Sequence, residues 1–176
     1  MSKVRLYAAT SLDGFVADAD GDTAWLEPYQ DRLFAETGFM SEIGAVILGR
    51  RTFEFMQAFA EWPYAGKRAY ILTTQAPWNL PDNAVFVRNG GIAAAVQAAR
   101  EDTRKDIWIV GGALTMQSAI DAGLVDIIEI CVVPVLLGRG LPMLNSLSRR
   151  RTLAFDGMAV FGDDIVKLRY ATLRGA

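Results

Sequence analysis

Strand-length apolar runs alternate with helix-length patterns through the first two thirds of the chain, and after Leu124 the helical patterns stop. This order constrains the fold more than any other feature. Parallel strands need long crossover connections, whereas antiparallel strands need only turns. Residues 4–9 read as the first strand. Residues 29–43 carry Tyr29, Leu33, Phe34 and Met40 at helical spacing, with Gly38 as a weak point. Residues 45–48 predict a short buried strand, 52–59 a helix, 69–74 a strand closed by Pro77, and 84–88 another strand. Asn89-Gly90-Gly91 leads into an alanine-rich helix over 92–104; a strand at 107–110 and a helix at 113–122, ended by Gly123, follow. The tail holds strand patterns at 127–135, 152–161 and 164–173. The expectation is an α/β fold in one domain over residues 1–176, with a mainly parallel sheet and antiparallel strands at its C-terminal end.

Composition narrows the chemistry. Net charge is −2 with both signs interspersed, which lacks the basic footprint of a nucleic-acid partner. No apolar run approaches the ~20 residues that span a bilayer. The N-terminal segment enters a strand at once, so the expected location is cytoplasmic. The chain has no histidine, which excludes Ser-His-Asp and Cys-His catalysis and every histidine metal site; no metal is expected. Its one cysteine, Cys131, lies in an apolar run and reads as a core residue. Arg149-Arg150-Arg151 reads as a solvated turn. Any catalysis must therefore come from carboxylates, hydroxyls, main-chain groups or a cofactor.

Three strand ends share one chemistry. Gly49-Arg50-Arg51-Thr52 follows the strand AVIL, Thr73-Thr74 follows AYIL, and Gly111-Gly112 follows IWIV. Ligands of open parallel sheets bind outside the carboxyl ends of the strands. Arginine forks suit phosphate, hydroxyls suit phosphate or ribose, and glycine lets backbone approach an anion closely. Two arginines at a helix start oppose the helix dipole, a conflict that a bound anion removes. Thr52 sits where it can cap the following helix or touch the ligand. Asp13-Gly14 is a turn signal, and the polar loop 17–23 after it has the character of a lid. PVLLGRGLP (134–142) reads as a turn or bulge closing a long strand.

Taken in order, SLDGF (11–15), ILGRRTFE (47–54), ILTTQ (71–75), IWIVGGA (107–113), GLVDIIE (123–129) and PVLLGRGLPML (134–144) resemble the dihydrofolate reductase-like superfamily. They are most similar to small single-domain relatives of the reductase domain of bacterial riboflavin biosynthesis. The resemblance covers most of the chain, from Arg5 to about Leu144. It implies a central sheet of about eight strands flanked by helices, with NADPH across the carboxyl edge. It also implies that Arg50 and Thr73 hold the 2′-phosphate, with Thr74 and Arg88 assisting. Arg51 and Thr52 would meet the pyrophosphate from one side, and Gly111, Gly112, Ala113 and Leu114 from the other. Ala9, Asp13, Gly14 and Phe15 would flank the nicotinamide, and Gly49, Leu72 and Val110 complete the implied set.

The chain also departs from its relatives. The riboflavin-pathway reductases commonly carry a glutamate before the Gly-Gly pair, where this chain has Val110, and an acid in a TxxxD-like phrase, where it has Met56. Folate reductases protonate a pterin from a first-helix carboxylate; Asp31 is the candidate here, with Glu36 beside it. The leading expectation is an NADPH-dependent reductase of a small planar heterocyclic, carbonyl or imine substrate, similar to 5-amino-6-(5-phosphoribosylamino)uracil reductase, with the proton from Asp31 or ordered water. The alternatives are a non-catalytic NADPH-binding module and a dihydrofolate or pteridine reductase. The tail resembles the dimerising end of the riboflavin-pathway domain, which implies a homodimer.

Overall fold

Apolar side chains alternate along β1 (Val4–Ser11): Val4, Leu6 and Ala8 enter one hydrophobic cluster, Tyr7 and Ala9 the other. The same two-residue period divides β3 (Ile43–Gly49), where Ala45 and Ile47 oppose Val46 and Leu48, and β6 (Asp106–Gly111), where Ile107 and Ile109 oppose Trp108. A sheet with apolar side chains on both faces must be covered on both. This computed structural model describes residues 2–34, 38–75 and 79–173. Glu36 and Pro77, both read from the sequence, lie outside the described residues.

The remaining strands are β2 (Phe15–Ala17), β4 (Arg68–Leu72), β5 (Ala84–Val87), β7 (Ile127–Val133), β8 (Leu141–Pro142), β9 (Leu153–Phe161) and β10 (Ile165–Thr172). The helices are α1 (Gln30–Phe34), α2 (Phe39–Glu42), α3 (Arg50–Gln57), α4 (Gly91–Asp102) and α5 (Ala113–Asp121), with a 3-10 helix over Ala24–Tyr29. The eight-stranded sheet runs β5-β4-β3-β6-β1-β7-β10-β9. From β5 to β7 all neighbours are parallel; β10 is antiparallel to β7, and β9 to β10. The expected mainly parallel sheet with an antiparallel C-terminal end is what the chain forms.

Helices α4 and α5 cover one face through Val96, Ala99, Met116 and Ile120. The other face receives Leu33 of α1, Phe39 of α2 and Phe53 of α3. Beneath these lies a buried ion cluster. Glu129, fully buried, takes two hydrogen bonds from Arg5 at 2.9 and 3.0 Å and one from Arg169 at 3.2 Å, with Lys167 at 3.7 Å. Arg5 also pairs with Glu42 and lies over the ring of Phe39.

Several expectations need correction. The helix over 29–43 does not form as one element: a 3-10 helix, α1 and α2 replace it, Gly38 stands at the start of α2, and Ile43 already belongs to β3. Residues 43–49 belong to the sheet because β3 pairs with β4 and β6 on either side. Helix α3 begins at Arg50 with Gly49 as its cap residue, so Thr52 lies inside the first turn and is not the cap. Strand β4 ends at Leu72, which leaves Thr73 and Thr74 beyond it. The small antiparallel ribbon of β2 with β8 has no counterpart in the sequence reading, because a two-residue strand carries no periodicity. Cys131 is buried in the core as expected, and Arg149 and Arg150 are exposed. Arg151 is half-buried and donates to the carbonyl of Asp121.

Candidate functional site

The parallel order brings the ends of β4, β3, β6 and β1 along one edge of the sheet. Strands β3 and β6 are adjacent, and Leu48 is opposite Gly111. Each runs directly into a helix, and the cap residues of α3 and α5 are Gly49 and Gly112, neither with a side-chain cap bond. The first N–H groups of both helices therefore start side by side without acceptors in their own helix, while that of Thr115 already donates to the Gly112 carbonyl at 2.9 Å. A Cβ on Gly49 would stand 2.6 Å from Thr115 Oγ1 and 3.4 Å from the Gly112 nitrogen. A Cβ on Gly112 would stand 3.3 Å from Thr52 Oγ1. Gly111 has φ +145°, which favours glycine, and the Gly111-Gly112 peptide is cis. The join is thus a floor of bare backbone flanked by the hydroxyls of Thr52 and Thr115.

One strand further out, Arg50 donates from Nε to Glu54 Oε1 at 2.7 Å and from its guanidinium to the side-chain oxygen of Gln75. Thr73 is buried; its hydroxyl donates to the Gln75 carbonyl at 2.9 Å and accepts from the Gln75 N–H at 3.1 Å. This local turn holds Gln75 against Arg50. Thr73 also donates its N–H to the Val87 carbonyl at 3.3 Å, beside Arg88. Arg50, Arg51, Thr74 and Arg88 are exposed. Arg50, Thr73 and Gln75 thus converge, with Thr74 beside them in the chain and Arg88 on the neighbouring strand end. Gln75 stood in the phrase ILTTQ, yet its role depends on a partner 25 residues away.

The turn at the end of β1 is held by the Asp13 carboxylate. The Asp13 carboxylate accepts from the Ser11 hydroxyl at 2.6 Å, from the Gly138 N–H at 2.7 Å and from the Leu137 N–H at 3.1 Å. The Ser11 hydroxyl chiefly, with the Gly138 and Leu137 amides, holds this carboxyl below its ordinary value. Leu12 donates to the Val135 carbonyl and Met143 to that of Gly14, so the turn is tied to the 135–143 segment. Phe15 opens β2 and donates its N–H to Ser11 Oγ. Asp13 is therefore a clamp between two loops, a role that its turn signal does not reveal.

The remaining expected positions are scattered around this edge. Ala9 and Val110 are partly buried on the cluster that Tyr7 and Trp108 share, and Leu72 packs on the opposite one. Ala113 and Leu114 open α5, and the Leu114 side chain faces solvent with 75% of it exposed, so only its main chain faces the join. Asp31 lies exposed in the first turn of α1. Met56, from the phrase with the missing acid, is packed on the same cluster as Val110. Two further members of that wall, Trp25 and Trp62, were not singled out in the sequence, since an aromatic side chain reads first as core.

Residues 2–167 match the family described as the RibD C-terminal domain. Uncharacterized protein YwjB of Bacillus subtilis (strain 168) is 33% identical over 172 residues, spanning 96% of this chain and 97% of that protein. A crystal structure from Shewanella sp. PV-4, of a protein named for riboflavin biosynthesis, is 26% identical with a TM-score of 0.84, covering 99% of this chain and 100% of that one. The dihydrofolate reductase of Enterococcus faecalis, solved with NADP(H) and RAB-propyl, shares the fold at 16% identity and a TM-score of 0.69, over 97% of this chain and 96% of that one.

Proposed function

This chain belongs to the RibD C-terminal domain family, and from that premise we propose that it is an NADPH-dependent reductase of a small planar heterocyclic, carbonyl or imine substrate. The observation that carries the reading is the join of β3 with β6, where Gly49 meets Gly111-Gly112 and two helices begin side by side. Adjacent helix N-termini over bare backbone favour an anion, and the added Arg50 and Arg51 reinforce that preference. The bare backbone at this join, flanked by the hydroxyls of Thr52 and Thr115, suits a pyrophosphate, with Ala113 and Leu114 as its further partners. Arg50, Thr73 and Gln75, with Thr74 and Arg88, would hold the 2′-phosphate. NADPH is the typical cofactor of the family. Bound at this edge, it would supply a hydride.

The chain's own contribution is orientation and exclusion of water. Ala9 and Val110 offer a small and an apolar surface at the ends of β1 and β6, and the Asp13 clamp steadies the loop beside them. Calorimetric titration tests the reading: we expect NADPH to bind and NADH to bind more weakly. The absence of NADPH binding up to millimolar concentration would end it.

A second reading, an NADPH-binding module without turnover, draws support from the exposed Asp31 and the apolar Val110 and Met56. Stereospecific hydride transfer to any member of a panel of pyrimidine, pteridine and carbonyl oxidants excludes it. We also propose a homodimer. Phe155, Met158 and Val160 pair with Tyr170, Leu168 and Val166 and so lie on one face of β9, exposed by 63, 61 and 53%. Strand β9 ends the sheet, and α4 and α5 pack over β3 to β6 instead. An exposed apolar edge of this kind suits a second copy.

A further inference from the structure

Two indole N–H groups are buried without an acceptor among the described residues: that of Trp25, in the 3-10 helix, and that of Trp62, between α3 and β4. Buried donors in folded proteins almost always find a partner, and an orphan is destabilising. Trp62 stands edge-on to Phe53 and Tyr64, with centroids 5.6 and 5.2 Å away. Both tryptophans pack on the cluster to which Ala9 and Val110 belong, on the face of the sheet that α1 and α3 cover. The orphaned donors thus belong to the same apolar wall that reaches the ends of β1 and β6.

Two cations of this face are engaged. Arg32 lies over the ring of Tyr29 and pairs with Asp164 at 2.5 Å. Lys167 lies over Phe161 and stands 3.7 Å from Glu129. A phosphate recruiting either cation would compete with these pairs, whereas a neutral ring with acceptor atoms competes with neither.

We infer that Trp25 and Trp62 determine substrate specificity, donating their indole N–H groups to acceptor atoms of an uncharged planar heterocycle that carries no phosphate. The inference rests on the reductase reading and specifies its substrate half. An indole suits the task, because it presents a flat apolar face and a single donor with no acceptor. It selects for carbonyl oxygens and unprotonated ring nitrogens, and against amino groups at the same position.

The test uses the full chain carrying 15N-labelled tryptophan and saturated with NADPH. It is titrated with 7,8-dihydropterin and 5,6-diaminouracil, and separately with uridine 5′-monophosphate. We expect the phosphate-free probes to move both indole proton resonances downfield, with assignment from Trp25→Phe and Trp62→Phe. Each variant should weaken probe binding about tenfold while NADPH affinity stays unchanged, which also reports that the variant is folded. Three results overturn the inference: neither phosphate-free probe binds although NADPH does; a probe binds with either indole resonance unmoved; or the phosphorylated probe binds more tightly. Failure of the unmutated chain to bind NADPH overturns the reductase reading instead.

Discussion

Gly49 and Thr115 meet where β3 joins β6, so closely that a Cβ on Gly49 would stand 2.6 Å from Thr115 Oγ1. Two helices can start this near each other only because position 49 has no side chain. The backbone there, φ −74°, suits any residue, so the demand is for space alone.

Gly49→Ala should therefore push α3 away from α5. We expect a loss of about 1–3 kcal/mol in stability from overpacking, and a fall in NADPH affinity larger than that for any free-standing surface change. Denaturant titration and calorimetry on the same preparation read both. Wild-type NADPH affinity in this variant would show that the join does not bind the pyrophosphate.

Arg50→Ala tests the 2′-phosphate assignment. Its pair with Glu54 is exposed on both sides, so fold stability should change by less than about 1 kcal/mol. A charge-assisted bond to phosphate is stronger, about 1.5–3 kcal/mol, so NADPH affinity should fall roughly ten- to hundredfold. NADH affinity should remain. Equal losses for both nucleotides would move the 2′-phosphate elsewhere.

The Asp13 clamp should respond to acid. Its carboxyl is held below the ordinary value, so the native hydrogen bonds favour the ionised form. The stabilisation is present above the unfolded-chain value, about 3.9, and is lost as pH falls through the lower folded value. The amide protons of Leu137 and Gly138 should titrate together in NMR spectra, with a midpoint below the ordinary carboxylate range. In Asp13→Asn that step should vanish; its persistence would assign it to another group.

Glu129→Gln should destabilise the fold by about 3–5 kcal/mol, because Arg5 and Arg169 would keep only their partners outside the core, among them the half-exposed Glu42 and Asp156. Chemical denaturation measures this. A loss under 1 kcal/mol, the scale of a surface pair, would show that the cluster is solvated in solution.

Met158→Glu should yield a monomer if two copies associate through β9, with the fold intact because Met158 is already 61% exposed. Light scattering across a dilution series distinguishes the masses. A wild-type chain that is monomeric at all concentrations would refute the homodimer.

The order of strands and helices was legible because the two-residue and 3.6-residue periods are written locally, as in Ile107 to Val110 running into Gly111-Gly112. The break at Gly38 was visible only as a weakness, since nothing local says that Ile43 pairs with Asp106 in the sheet. The start of α3 was misread because the cap is a glycine, which has no side chain to announce it. The three phosphate-like strand ends were legible as chemistry, and the parallel topology sets all three side by side, on β4, β3 and β6. Gln75, Thr115 and the Asp13 clamp were hidden because each acts through a distant partner: Arg50, Gly49 and Gly138.

The sequence by itself determined the class of sheet, the candidate anion-binding phrases and the family, because periodicity, glycine placement and motif order are properties of neighbouring residues. Tertiary structure alone decided how those phrases work together. It set Gly49 against Thr115, gave Arg50 its partner, committed Asp13 to holding two loops, and left the Trp25 and Trp62 indoles without acceptors among the described residues. The physical reason is that steric fit and hydrogen-bond satisfaction belong to pairs of groups in space. For residues far apart in the chain, only folding brings those pairs into being.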